Sequence, residues 1–387
     1  MKTPRGPVGA AVAIALLVTA CGGKSPATAP TGTTLPPLPP DVVALVTLIG
    51  QGSAIGTGAS LYGVDLTSGA STAAKSFAVG TFPDAVAATP DGNLALVANY
   101  GAGTVTPIDL LTGKVRPAIQ AGAGPAGVAV APNGKMAYVT DAGSAPIGTT
   151  ITPIDLATDK AMSPITVGAG PQGIVISPDG TTAWVSLAGA VVAGQSGSVG
   201  SSVVSVNLST RAVSAPIPVG NAPLAVVLSN GGQTLWVANA YSGSVTPITT
   251  STRVAGTPIA VEGAPDALAV SPDSQTVFVA DEGSSVAKGN NVTPISTSTL
   301  SVSAPLAVAK APTGLAVTPD GSTLWVVSSG AGSLEPINLA AKPVTVETEG
   351  AVAIAGGPYA IALVTEQHSV AVRSLGAVPA KKKTKTS

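Results

Sequence analysis

Three features of the sequence predict an all-β fold of seven repeated sheets. They are a recurring proline-led unit, alternating apolar segments separated by turn residues, and the lack of any sustained helical pattern. A Pro that opens an apolar segment recurs at Pro83, Pro125, Pro171, Pro223, Pro265, Pro312 and Pro358, at intervals of 42, 46, 52, 42, 47 and 46 residues. Self-similarity at such a period marks a repeat architecture, and four short strands per unit mark the blade of a propeller. The expected fold is a seven-bladed β-propeller of four-stranded blades, its ring closed by joining N- and C-terminal strands.

Each unit can be read in chain order. The first strand alternates apolar residues, as in Gly173-Ile174-Val175-Ile176 and Ala267-Leu268-Ala269-Val270. Turn chemistry follows in Pro90-Asp91-Gly92, Pro132-Asn133-Gly134, Pro178-Asp179-Gly180 and Pro319-Asp320-Gly321, with weaker forms at Asn230-Gly231-Gly232 and Pro272-Asp273-Ser274. The second strand carries a bulky residue 13 positions after the Pro: Leu96, Tyr138, Trp184, Trp236, Phe278 and Trp325. The third is marked by Thr-Pro-Ile at Thr106, Thr152, Thr246 and Thr293, and a fourth runs toward the next Pro, as over 213–219.

The seventh Pro has too little chain after it for a whole blade, so N-terminal strands must complete it. Residues 62–66 match a third strand and 75–80 a fourth. Segments 42–48 and 369–373 both suit the second strand, and the 13-residue spacing, which puts Ala371 in register, favours the C-terminal one.

The first 20 residues read as an export signal. Lys2 and Arg5 precede an apolar stretch over 8–18, ending in Val18-Thr19-Ala20-Cys21. That ending resembles a bacterial lipobox, which implies a lipoprotein signal peptide over 1–20 and a lipid on Cys21. Cys21 is the only cysteine, so no intramolecular disulfide is available. Residues 21–41 form a Pro/Thr/Gly-rich tether, 42–376 the propeller, and 377–387 a Lys-rich disordered tail. The tail reads as a solvated end, leaving the lipid anchor as the expected membrane contact.

Within the strands, Tyr138-Val139-Thr140-Asp141, Val97-Ala98-Asn99 and Val237-Ala238-Asn239 resemble the YVTN-repeat, lactonase-like propellers of bacterial and archaeal surface proteins. The resemblance covers essentially the whole of 42–376. It implies the propeller fold. It also raises the enzymes of that group, which work with a metal and with acidic and His residues near the channel.

Departures from the repeat suggest where function lies. The distance from the Pro to the third-strand Ile or Val is 25 residues in blades one, four and six, but 29, 35 and 30 in blades two, three and five. The insertions therefore fall at 142–149, 187–201 and 282–290, between second and third strands. In a propeller those loops share a face with the connections between blades, and loops gathered on one face mark a binding face. The same face should carry Asn99, Asp141, Asn239, Asp281 and Glu282 at second-strand ends, with Tyr100 and Tyr241 beside them. Asp84 and Asp266, each directly after a repeat Pro, should lie near the channel mouth. As a ring of oxygen donors these residues would suit Ca²⁺ or Mg²⁺. Their recurrence blade by blade points instead to strand-end hydrogen bonding, and no cofactor is expected.

Composition narrows the chemistry further. Eighteen basic and 19 acidic residues give a net charge of −1, which leaves no surplus to neutralise nucleic acid. Mean hydropathy is +0.47, yet past residue 20 no apolar run approaches the ~18 residues a spanning helix needs. His368 is the only histidine, which excludes metal sites built from several imidazoles. Five of the 11 aromatic residues occupy the 13-spaced position and read as blade packing rather than as platforms for sugar.

The reading these observations favour is a monomeric, lipid-anchored extracytoplasmic scaffold that presents its loop-rich face to a protein or cell-envelope partner. The alternatives are a metal-assisted lactonase-like hydrolase or streptogramin-lyase-like enzyme, and a structural surface-layer element. The scarcity of His argues against the enzyme.

Overall fold

A proline can begin a strand but cannot sit inside a central one, because it has no N–H to give to the ladder. Each repeat proline accordingly opens an innermost strand: Pro83–Ala88, Pro125–Val130, Pro171–Ile176, Pro223–Ser229, Pro265–Val270, Pro312–Val317 and Pro358–Thr365. The computed structural model describes residues 42–50, 59–66, 75–143, 147–189, 201–283, 289–341, 344–346 and 350–365. Those residues form seven antiparallel sheets. Neighbouring innermost strands contact one another all the way round, so the sheets close into a ring. Blades one to six begin at Pro83 to Pro312, and blade seven is the closing blade.

The 13-residue spacing has a direct structural cause. It sets the bulky residue of the second strand opposite the fifth residue of the innermost strand, as in Ala87↔Leu96, Ala129↔Tyr138 and Val227↔Trp236. All six bulky residues are buried between blades; Trp236 is 1% exposed, and its indole N–H donates to Ser229 Oγ at 2.8 Å.

The third-strand Pro has a cost of its own. Opposite Pro107 no N–H is available, so the outermost strand breaks into Lys114–Val115 and Ile119–Gln120. The Pro107 carbonyl still accepts the Arg116 N–H at 2.9 Å. Blade three has Ser205 at this position, and its N–H is taken by Ser214 Oγ at 3.0 Å. Broken outer strands leave little continuous edge for another chain to pair with.

Blade seven corrects the expectation drawn from spacing. Its second strand is Val42–Leu48, which lies between Pro358–Thr365 and Ser60–Asp65, with Lys75–Ala78 outermost. The pairing Leu45↔Ala362 reproduces the bulky-residue register of the other blades, so Leu45 takes the place assigned to Ala371. All seven residues of Val42–Leu48 are buried, and an apolar run of that kind belongs in a strand covered on both faces. Segment 369–373 lies outside the described residues.

Every innermost strand is bulged near its proline, where the register with the second strand shifts. In blades two and three a hydroxyl fills the bulge and ties it to the next blade. Thr140 Oγ1 accepts the Gly127 N–H at 2.7 Å and donates to the Gln172 carbonyl at 2.6 Å. Ser186 does the same between the Gly173 N–H and the Leu224 carbonyl, at 2.8 and 2.6 Å. Only glycine fits beside these carbonyls, since a Cβ on Gly127 or Gly173 would lie 2.5 or 2.3 Å from the oxygen.

Candidate functional site

Innermost strands start, and second strands end, on the same face of the ring. The described parts of the insertions emerge there, and residues 144–146, 190–200 and 284–288 lie outside the described residues. We call this the loop face and the opposite one the turn face.

The residues that end the second strands are buried and bonded inward. In blade one Asn99 Nδ2 donates to Thr104 Oγ1 and Thr106 Oγ1 at 3.2 and 2.9 Å. Blade four repeats this, with Asn239 Nδ2 donating to Ser244 Oγ and Thr246 Oγ1 at 3.3 and 2.9 Å. In blade two Asp141 accepts from both Thr150 Oγ1 and Thr152 Oγ1 at 2.7 Å, and from the Gly122 N–H at 3.0 Å. Burial raises its pKa, and these three bonds pull it back down. Blade three has an apolar counterpart in Leu187, against which Gly168 lies flat. The Thr of Thr-Pro-Ile thus acts as a latch that holds the end of the second strand to the third.

Blade five breaks the pattern. Asp281, fully buried, accepts from Thr293 Oγ1 at 2.6 Å, while its Oδ1 has no hydrogen-bond partner. Three residues before the repeat Pro, where blades one to four have Gly80, Gly122, Gly168 and Gly220, stands Glu262. Burial first, and then the Glu262 charge, push the Asp281 carboxyl up to about 7. Glu282, half-buried beside it, is also pushed up by burial. In blade six the acid moves to the third strand. Glu335 replaces the Thr of Thr-Pro-Ile, accepting the Ala309 N–H at 3.0 Å and the Ser333 hydroxyl at 2.6 Å.

At the channel mouth Asp84 is 5% exposed, and Oδ2 has no hydrogen-bond partner; burial pushes its carboxyl well above the usual carboxylate range. Asp266 holds the same position in blade five and is also buried. The equivalent residues elsewhere are Ala126, Gln172, Leu224, Thr313 and Tyr359. Tyr241 is exposed and Tyr100 half-buried. His368 lies outside the described residues. Among the described residues no three His, Cys, Asp or Glu side chains are grouped so as to hold a metal ion.

Charge is divided between the faces. The loop face carries Asp84, Asp141, Glu262, Asp266, Asp281, Glu282 and Glu335, against Lys310 among the described residues. The turn face and outer wall mix the acids of the turns with Lys114, Arg116, Lys135, Lys160, Arg211 and Arg253. Sequence reasoning passed over Glu262 and Glu335. Both were marked by a broken repeat, of glycine in one case and of Thr-Pro-Ile in the other.

This architecture is that of a seven-bladed β-propeller, and solved propellers share it. Among solved structures, a Pseudomonas aeruginosa periplasmic gluconolactonase matches with a TM-score of 0.64 at 16% identity, over 84% of this chain and 99% of its own. A Bacteroides fragilis protein, a 6-phosphogluconolactonase by assignment, matches with a TM-score of 0.65 at 14% identity, over 84% and 98%. Kuenenia stuttgartiensis hydrazine synthase matches with a TM-score of 0.65 at 21% identity, over 74% and 91%. No family model and no curated protein matches the sequence. At these identities the likeness is one of fold.

Proposed function

We propose that this chain is a lactonase-like propeller held outside the cytoplasmic membrane by a lipid on Cys21, and that its loop face receives a neutral or cationic ligand. The observation that carries this reading is the imbalance of ionisable groups on the described loop face, where seven acidic side chains stand against Lys310. Glu262 and Glu282 are the most accessible of the seven, and burial shifts Asp84 and Asp281 toward the neutral form. A concave mouth lined by one sign of charge concentrates ligands of the opposite sign and repels those of the same sign. A phosphorylated sugar would meet no cluster of cations there.

Two activities fit such a face. The names of the solved neighbours, two 6-phosphogluconolactonases by assignment and one gluconolactonase, favour hydrolysis of a sugar lactone, and the acidic loop face favours a neutral one over a phosphorylated one. In that reading water adds to the lactone carbonyl carbon as the ring C–O bond breaks, and Asp84, whose carboxyl burial raises well above the usual carboxylate range, is the group proposed to give the departing ring oxygen its proton. The residues themselves favour binding, with the ring holding a protein or cell-envelope component on its loop face. Asn99, Asp141, Asn239 and Asp281 are buried and bonded to latch hydroxyls, which leaves Glu262, Glu282 and Tyr241 as the groups this reading assigns to a partner.

The test is a paired assay on residues 22–387. Turnover of gluconolactone but not of its 6-phosphate, lost in Asp84→Asn with unchanged melting, would establish the hydrolase. Absence of turnover, together with a crosslinked envelope partner that is lost when 187–201 is shortened to the length found in blade one, would establish the binding protein. Preference for the phosphorylated lactone would overturn the charge argument for either.

A further inference from the structure

Where blade four hands the chain to blade five, the ring is clipped together less tightly than elsewhere. In the other six blades the two residues after the second strand give their N–H groups to the two residues before the repeat Pro, as Ala142 and Gly143 do to Gly124 and Ala123 at 2.9 and 2.8 Å. Blade five keeps the first of these bonds, from Glu282 to Ala264 at 3.1 Å, and lacks the second among the described residues. The residue before the Pro has a φ between 50 and 68° in the other six blades, whereas Ala264 stays out of the left-handed region. The floor of this seam is Asp281, which divides its oxygens as Asp141 does. In both, Oδ2 accepts from a latch threonine, at 2.6 Å from Thr293 and 2.7 Å from Thr152. Oδ1 of Asp141 faces the linker and accepts the Gly122 N–H at 3.0 Å, but Oδ1 of Asp281 is buried and accepts nothing. Asn99 and Asn239 also leave an oxygen unpartnered. There the linker closes over the amide, and a Cβ on Gly80 or Gly220 would lie 2.7 Å from the amide carbon. Glu262 already carries a Cβ at this point, so its linker stands off from Asp281.

We infer that this seam is a binding site for a primary ammonium group, which donates to Asp281 Oδ1 and lies between the carboxylates of Glu262 and Glu282. The inference rests on the loop face receiving a cationic ligand, as proposed above, and names the group and its seat. A buried acceptor without a donor calls for water, an ion or a ligand group at that oxygen. The acids around it select a cation over water. Glu262, exposed, and Glu282, half-buried, flank the approach, and the Glu262 charge is felt at Asp281. No described basic side chain pairs with any of the three, since the ion pairs among the described residues are those of Arg116. Among cations the chemistry favours ammonium. A guanidinium takes both oxygens of one carboxylate, and Asp281 has given Oδ2 to Thr293. A divalent metal needs its ligands gathered around one point, and the described acids are not so grouped. An ammonium head carries three donors on a flexible stem and can reach single oxygens on separate side chains.

The test titrates residues 22–387 with n-butylamine at pH 8, following the amide resonances of Gly263 and Glu282 by NMR. At that pH the amine stays charged, and Asp281, raised to about 7, is mostly ionised. We expect saturable shifts with n-butylamine and none with n-butanol. Asp281→Asn should weaken binding by about tenfold or more, through the loss of a charge-assisted bond. Asn is the residue of blades one and four, where it bonds the same latch, so the variant should fold. Glu262→Gly, which lets the linker close, should abolish binding. No binding of n-butylamine would overturn the inference. So would equal binding of tetramethylammonium, which has the charge but no N–H and would reduce the site to a diffuse field. Lys288, outside the described residues, belongs to the same insertion and carries the same group. Binding that appears only in Lys288→Gln would show the chain filling its own seam, and would also overturn the inference. Acetyl-lysine amide separates the two sources, either of which supports it: a lysine of a protein partner if this probe binds, a small amine if only n-butylamine does. Lactone turnover or an envelope partner without amine binding would remove the seam alone, and amine binding without either would remove the wider reading alone.

Discussion

Blades two and five end their second strands with the same residue in the same register, and the two carboxyls meet opposite surroundings. Asp141 accepts three hydrogen bonds and lies against Gly122, where a Cβ would sit 2.3 Å from its Cγ. Asp281 accepts one from Thr293, leaves Oδ1 without a partner, and faces Glu262 in place of the glycine. A linker that carries a side chain at that point cannot lie on the second strand as closely as Gly122 does. The first carboxyl is a structural clasp. The second is a buried acid beside other acids at the start of an insertion, where the repeat is broken.

The most disruptive test of that contrast is truncation at each site. Asp141→Ala leaves the Gly122 N–H and two threonine hydroxyls without their acceptor, and should cost about 2–4 kcal/mol, since each buried unsatisfied group costs about 1–3 kcal/mol. Asp281→Ala removes one bond from Thr293 together with an ill-solvated carboxyl, so at pH 8 it should be neutral or stabilising. Urea denaturation of the two variants decides the matter; equal losses would erase the distinction between the blades.

Much of the ring was legible because its devices repeat. The seven prolines gave the blade count, and the 13-residue spacing gave the packed aromatics, since both follow from strand register. The closing strand was misread because Val42–Leu48 has no proline of its own to count from; its burial on both faces was the better signal. The latch residues were legible in identity but not in state. Asn99, Asp141 and Asp281 look alike in sequence, and what separates them is whether a hydroxyl, a glycine N–H or a carboxylate stands opposite. That depends on residues 5 to 19 positions away. Glu262 was visible only as the loss of a glycine, a change that gains meaning once Gly122 is seen to touch Asp141.

A pH series sharpens the contrast with a smaller effect. The folded protein holds the Asp281 proton up to about pH 7, whereas an unfolded chain releases it near pH 4. The stability linked to this proton is therefore fully present below about pH 4 and is lost as the pH rises through 7. Asp109, Asp179 and Asp273 are shifted the other way, and their contribution is lost only below about pH 4, so the interval above it reports on the raised acids. Asp281→Asn should match the wild type near pH 4 and exceed it at pH 8 by on the order of 2–4 kcal/mol. Parallel curves for the two proteins across that interval would place the titrating group elsewhere.

The smallest expected change is the most specific. Glu262→Gly restores the residue of blades one to four and removes the charge facing Asp281, while the burial of Asp281 is left in place. Like-charge repulsion is the lesser of the two causes that raise this carboxyl, so its titration should move down by only the smaller part of its rise. The stability curve should keep its sign and move toward lower pH by that amount, read as the midpoint of urea stability plotted against pH. If Glu262→Gly abolished the pH dependence, repulsion rather than burial would govern blade five, and the acids there would work as a coupled pair. If nothing moved, Glu262 would face solvent alone, and the loop face would lose the one neighbour that sets Asp281 apart from Asp141.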